Sequence, residues 1–361
     1  MHTFVILNSD LKGRLTIMIT IKDIAKAAGV NHSTVSRALR DDLRVSTAMR
    51  EKIHTIAKQM NYVPNLAAKK LVRQKTNFVG LIWPPREGLF FYNMNLQLQL
   101  EGIKRGYRVM QIMDGLTDSL QAFRQFGVDH VMFWDAYSTL PASFAVERQR
   151  FPGRVLALGG YNKSEGVDWL AVDRSGALLQ AVRHLSALGH RQLAYAGGQK
   201  NKQKMYGFLQ GIAECKADYT PEHFFDYFGT TFEDDVHAVF QKPDRPSAIV
   251  VDSQHCLFRL MRALRPIRVR VPDDVSVVVY DDTPEMSAFE IAFTTVGPSI
   301  PELAVKAWDI MTAEPEPGEE RELVEEMIGA VLVPRESAIP FRPEMERPFH
   351  SAATGINPSS T

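Results

Sequence analysis

Arg37 is a natural reader of a base edge, because a guanidinium can pair with N7 and O6 of guanine in a bidentate way. It stands one helical turn after Ser33 in HSTVSRAL, and His32, Ser33, Ser36 and Arg37 share one side of that segment if it is helical. A second feature lies far downstream, where Asp281 and Asp282 follow the apolar run VSVVVY. Adjacent carboxylates could serve metal or acid/base chemistry. Alternatively, one could accept hydrogen bonds from ligand hydroxyls at a strand end while the other stays structural. No Walker loop, GxGxxG, HExxH or GxSxG accompanies them, so the sequence offers no catalytic motif. Two cysteines, Cys215 and Cys256, give neither a disulfide framework nor metal-ligand spacing. Neither a cofactor nor a metal is expected, and the chain is not expected to be an enzyme.

Positioning Arg37 requires a small helical unit, and residues 20–63 can supply one. Thr20 can N-cap a short helix, with Asp23 completing a weak capping box. Ile21, Ile24, Ala25 and Ala28 then fall on one face of that helix. Gly29 breaks it, Val30 and Asn31 complete a tight turn, and a second helix puts Val35, Ala38 and Leu39 inward. Helix, glycine-containing turn, helix is the helix-turn-helix arrangement, in which the second helix enters the major groove. Ser46 caps a third helix over 47–61, whose Ile53, Ile56, Ala57 and Met60 complete the core. Between Thr20 and Lys75 stand twelve Lys and Arg against four Asp and Glu, a net of +8. The whole chain is neutral, with 42 of each sign, so the rest carries −8. A basic head on an acidic body suits a phosphate backbone.

The run IKDIAKAAGV..STVSRAL, then VS, then NYVPN..A..L, resembles the LacI/GalR family of bacterial transcription regulators, and a looser likeness continues to PRES at 334–337. The resemblance implies DNA contacts at Thr20, Ile21, His32, Ser33, Thr34, Ser36 and Arg37, with His32, Ser33 and Arg37 reading bases. Arg40 stands where the family usually has Asn. A hinge spans 64–76, where PNLAAKKLVR is too short to be a stable isolated helix. On spacing alone this stretch is a flexible linker or a minor-groove element. The resemblance implies the second, with Asn65, Ala68, Lys69 and Leu71 at the DNA and Leu71 wedged between base pairs.

Beyond residue 77 strand-length apolar runs (FVGLIW, RVMQI, HVMFW, RVLAL, WLAV, then QLAYAG, HFFDYF, SAIVV, VSVVVY) alternate with amphipathic stretches. The expected fold is a small all-α helix-turn-helix head plus an α/β, periplasmic-binding-protein-like body of two doubly wound parallel-sheet lobes over 77–338. The resemblance implies crossovers between the lobes near 189, 296 and 326. Open α/β sheets bind ligands at the carboxyl ends of their strands, so a cleft is expected there. Residues carried over to it are Phe90, Phe91, Lys204 (Arg in the family), Tyr227, Ser253 (Asn in the family) and Asp281. Trp134 could stack on a sugar face or pack at the rim. Residues 1–19 are expected to be a disordered extension or to precede a start at Met18, and 339–361 to be a disordered tail. No apolar run approaches a membrane span. The expectation is a cytoplasmic homodimer that binds double-stranded operator DNA, a repressor controlled by a small effector, most simply a sugar or sugar derivative. The alternatives are an effector-independent DNA-binding regulator and a solute-binding protein of similar fold.

Overall fold

The computed structural model describes residues 19–62, 76–85, 88–135, 139–160, 162–199, 201–314 and 321–346. The chain divides into two compact units, 1–76 and 77–361. Of the expected hinge over 64–76 only Thr76 is described; residues 64–75, with Asn65, Ala68, Lys69 and Leu71, lie outside the described residues, as do 1–18 and 347–361.

The first unit holds α1 (Ile21–Ala28), α2 (His32–Ala38) and α3 (Thr47–Gln59). Its core is Ile24, Ala25, Ala28, Val35, Ala38, Val45, Ile53 and Ala57. The Asp23 carboxylate accepts from both the backbone N–H and the hydroxyl of Thr20, starting α1 as the sequence suggests. Gly29 ends it at φ 72° with no heavy atom near a Cβ position, so glycine is required here by conformation and not by space. α3 stops two residues before the expected end, since Asn61 turns to φ 50°. Ile19, expected in the extension, packs on the head core.

The second unit contains two six-stranded sheets. In the first, β1 (Phe78–Ile82), β2 (Arg108–Ile112), β3 (His130–Trp134), β4 (Val155–Gly159), β5 (Asp168–Val172) and β11 (Glu325–Ile328) lie in the order β2-β1-β3-β4-β5-β11, all parallel. The second sheet repeats this plan as β7-β6-β8-β9-β10-β12. Its strands are β6 (Leu193–Gly197), β7 (Phe224–Asp226), β8 (Ala248–Val251), β9 (Ser276–Tyr280), β10 (Thr294–Gly297) and β12 (Val331–Val333), with only the edge strand β12 antiparallel. Each sheet reverses winding between its first and third strands, at β1/β3 and β6/β8. Those are the switch points where a doubly wound sheet opens a crevice. Helices cover both faces, which is why β4, β5, β6 and β9 are buried along their length.

The connections correct one expectation. α7 (Arg174–Ala187) follows β5 of the first sheet, yet Ala177, Leu178, Ala181, Val182 and Leu185 pack in the second lobe's core. The first crossover is therefore at Asp173, not near 189. The other two, between β10 and α11 (Ile300–Thr312) and between β11 and β12, fall close to their expected places. α11 returns to the first lobe, where Trp308 is fully buried and its Nε1–H donates to Leu98 O at 2.8 Å. The chain after 338 is also corrected. Ile339 accepts from His190 Nε2 at 2.9 Å, Phe341 N–H donates to Leu188 O, and Met345 is fully buried, so 339–346 is packed structure.

Candidate functional site

Two places assemble the singled-out residues. The first is the outer side of α2, where burial of Val35 and Ala38 turns His32, Ser33 and Arg37 to solvent, with Thr34 and Ser36 half-buried beside them. Neighbouring cations are occupied locally. Arg40 Nε donates to Ser36 O at 2.9 Å, Arg44 forms a fork on Asp42, Arg50 reaches Asp41 O, and Lys52 Nζ donates to Ala28 O. Arg37 is exposed on the free side of α2, one turn from Ser33. Thr20 is exposed and Ile21 half-buried at the start of α1.

The second place is the crevice between the lobes, at the carboxyl ends of both sheets. Asp281 directly follows β9 with φ 76°, a left-handed conformation costly for a residue other than glycine. Its neighbour Asp282 is committed to the scaffold, accepting from Thr295 Oγ1 at 2.8 Å and from Arg335 at 2.7 Å. Asp281 instead faces cations. Burial pushes its carboxyl up to about 6, against the pull of Lys204 and Arg174. Lys204, near the start of α8 (Lys202–Cys215), is 6% exposed; its Nζ donates to Asp252 O and lies 3.4 Å from the centroid of the Tyr280 ring. Desolvation lowers its pKa, which Asp281 and Asp252 partly offset. The Asp252 carboxylate accepts from Gly198 N–H at 3.0 Å and from the Tyr195 hydroxyl at 3.4 Å.

The first lobe contributes rings. Phe90 and Phe91, at the start of α4 (Leu89–Lys104), meet Trp83 and Trp134 edge to face, with centroids 5.2–5.7 Å apart. Trp134 is 7% exposed and covered on one side by Gly159, where a Cβ would come within 2.6 Å of its ring. Of the two roles open to Trp134, packing is the one its surroundings display. Tyr227 is half-buried and pairs with exposed Phe228 at 4.9 Å. Ser253 N-caps α10 (Gln254–Leu264): its oxygen accepts from Cys256 N–H, leaving its own O–H for any ligand.

Two residues of the crevice, Asp135 and Arg174, escaped the sequence reading. Asp135, 4% exposed, directly follows β3 and accepts from the backbone and side-chain N–H groups of Asn162. Arg174, at the first position of α7, donates to Gly159 O across the lobes. Only the position of Asp135, after a strand in the first lobe's switch region, could have flagged it. The lobes are also tied at α4: Leu89 packs on the second lobe's core and Asn93 Nδ2 is 3.2 Å from both oxygens of Glu285.

Among the described residues no His, Cys, Asp and Glu group could hold a metal ion, and no helix is long and apolar enough to cross a membrane.

Comparison with known proteins finds matches in both parts of the chain. Residues 20–65 match the bacterial regulatory proteins of the lacI family, and residues 182–338 match the periplasmic binding protein-like domain. The transcriptional repressor PurR of Vibrio parahaemolyticus is 24% identical over 329 residues, covering 88% of this chain and 98% of the relative. The regulator MalR of Streptococcus pneumoniae is 29% identical over 238 residues, 62% of this chain and 71% of its own. Among solved structures, the lac repressor dimer bound to operator and the anti-inducer ONPF superposes with a TM-score of 0.70 at 21% identity, over 89% of this chain and 99% of that one. The CelR–cellobiose complex gives 0.57 at 22% identity, over 88% and 99%. The structural likenesses establish the fold. With a lacI-type head and a binding-protein-like body in one order along one chain, this protein belongs to the LacI family of DNA-binding transcriptional regulators, which are not enzymes.

Proposed function

We propose that the protein is a repressor that binds a pseudo-palindromic operator as a homodimer and answers to a small, carbohydrate-like effector in the interlobe crevice. The observation that carries the DNA half is the polar outer side of α2, His32, Ser33 and Arg37, on a unit whose charge is +8 between Thr20 and Lys75. The effector half rests on Asp281, a strained carboxylate among Lys204 and Arg174 at the carboxyl end of β9, with its neighbour Asp282 occupied elsewhere. Hydroxyl groups are the donors such a carboxylate would accept from. A neighbour solved with cellobiose supports a small organic effector without fixing its identity.

An apolar stripe supports the dimer. Tyr92, Leu96, Leu100 and Ile103 recur at four- and three-residue spacing on α4 and are 41–64% exposed. A two-fold interface uses the same patch twice, and a single helix face can meet its own copy. The test is footprinting of operator fragments selected from random duplexes, at two salt concentrations. A symmetric footprint whose affinity falls steeply with salt is expected. A single asymmetric half-site saturated by a monomer would overturn the dimeric reading, and operator binding indifferent to every small molecule that binds the crevice would leave a constitutive regulator.

A further inference from the structure

The segment that follows the second sheet is held in two unequal parts. At Ser337 the hold is dense. Its N–H donates to Ala292 O at 3.0 Å, its hydroxyl donates to Val277 O at 2.6 Å and accepts from Thr294 N–H at 2.8 Å, and its carbonyl accepts from Val277 N–H at 2.7 Å. Beyond it, residues 339–346 add no strand to the sheet. Ile339 N–H donates to Oγ of Ser276, the first residue of β9, at 3.1 Å; Phe341 N–H donates to Leu188 O at 2.8 Å; and Met345 is fully buried. A further anchor is His190, which is itself fully buried and meets the Phe341 ring edge to face, centroids 5.9 Å apart. The Ile339 carbonyl can only accept, so Nε2 carries the hydrogen in their 2.9 Å contact. Nδ1 is then the acceptor for the Ser247 hydroxyl at 3.0 Å. The imidazole that fits this arrangement is neutral.

We propose that His190 and residues 339–346 form a proton-sensitive clasp, in which protonation of His190 releases the segment from the second lobe while Ser337 stays bound to the sheet. A second hydrogen on the ring, at Nδ1, turns an acceptor into a donor and drives the Ser247 hydroxyl hydrogen toward Gln192 O, 3.4 Å away. The new charge would also be buried among neutral groups, which is costly. Ser247, Ser276, Ile339 and Phe341 bring no charge, Arg191 is turned to Cys215 O, and Arg342 is exposed. From α7, His184 opposes a second cation, and its buried Nε2 has no hydrogen-bond partner among the described residues. Burial accordingly holds the His190 pKa below the ordinary 6.5. Lifting the segment lets water reach the ring, so the open form binds the proton more tightly and falling pH favours it. For a histidine with a depressed pKa, the clasp is at full strength above about pH 6.5 and weakens as pH falls below it.

Hydrogen exchange read by mass spectrometry on the full chain, at pH 7.5 and 5.5 and corrected for the intrinsic pH dependence of exchange, tests this. Protection of the peptide covering 339–346 should fall about 5- to 10-fold, the limit for one proton taken up a unit below a pKa of about 6.5. Peptides covering β6 and β9 should keep theirs, because the opening is local. In His190→Gln a side-chain amide can still donate to Ile339 O but cannot titrate, so protection of 339–346 should be the same at both pH values. Should His190→Gln fail to fold, as judged by circular dichroism, the pH at which wild type loses protection decides. A loss that sets in just below about pH 6.5 supports the clasp, and one that waits for the carboxylate range below about pH 5 overturns it. Unchanged protection of 339–346, an equal loss in β6 and β9, or a His190→Gln protein that responds as wild type does overturns it as well.

Discussion

Asp281 joins two unfavourable features in one residue, and both are measurable. Its folded pKa of about 6 lies above the ordinary 3.8, so the folded chain holds the proton more firmly than the unfolded one. Stability from that proton is present below about pH 4 and is lost as pH rises through about 6. Asp281→Asn removes the charge and tolerates φ 76° better than Asp. It should raise stability at pH 7.5 by on the order of 1–3 kcal/mol and flatten the decline between pH 4 and 6. Urea unfolding at pH 4.5 and 7.5 checks this; equal gains at both would assign the effect to the backbone alone. Arg37 makes the opposite case, an exposed side chain whose proposed role lies outside the protein. Arg37→Ala should cost about 1–3 kcal/mol on the selected operator and relax choice at one base pair, with a smaller loss on random duplex. Equal losses on both, in anisotropy titrations, would make Arg37 a phosphate contact. The outward position of Arg37 was legible in the sequence because its helix is amphipathic and local. Arg174 was not, since one cation at a helix start reads as a solvated residue until Gly159, Lys204 and Asp281 are brought to it from three other elements.

At the scale of elements, strands were read well because a parallel sheet covered on both sides demands continuous apolar runs, and VSVVVY and QLAYAG are such runs. Of the elements that were not read, α11 and β11 find their partners in the first lobe, far back in the chain, and β10 and β12 are only four and three residues long. β11 joins β5 from more than 150 residues away. The misplaced first crossover has the same origin. α7 follows a first-lobe strand in sequence, and only its packing against α8 assigns it to the second lobe. That packing is close: a Cβ on Gly207 would lie 2.0 Å from Ser175 O, and one on Gly211 would lie 2.6 Å from the Val182 side chain. The first obstacle is backbone, which cannot rotate away. Gly207→Ala should therefore destabilise the body by about 1–3 kcal/mol, the usual penalty of overpacking, despite alanine's better helix propensity. The control is Gly106→Ala, where nothing lies within 4 Å but φ is 79°. A Gly207→Ala protein as stable as wild type in urea would mean that α7 and α8 slide apart at little cost.

For the whole molecule, the question is how a head with a handful of base contacts selects an operator. One recognition helix would supply few specific contacts, and in the proposed dimer a second head would multiply the affinity. Linking two heads turns the second binding event into an intramolecular one with a high effective concentration. The link proposed here is the stripe Tyr92, Leu96, Leu100 and Ile103, exposed on a helix whose other side, Phe90, Met94, Leu98 and Gly102, is buried. Apolar side chains exposed to this degree on successive turns have no partner inside the lobe that would explain them, and contiguous apolar surface marks contact sites. Replacing Leu96 and Leu100 together by Glu puts two like charges opposite their own copies across a two-fold axis while leaving the buried side untouched. The double variant should sediment as a monomer at concentrations where wild type is a dimer, and retain wild-type circular dichroism. Its affinity for the full palindrome should drop about 100-fold or more, the scale of lost avidity, while affinity for an isolated half-site changes little. Half-site binding that fell in parallel would place the damage in the head's own stability. A variant that stayed dimeric would move the interface to another surface, with the exposed Phe258 and Phe289 of the second lobe, rings 5.8 Å apart, as the next place to substitute.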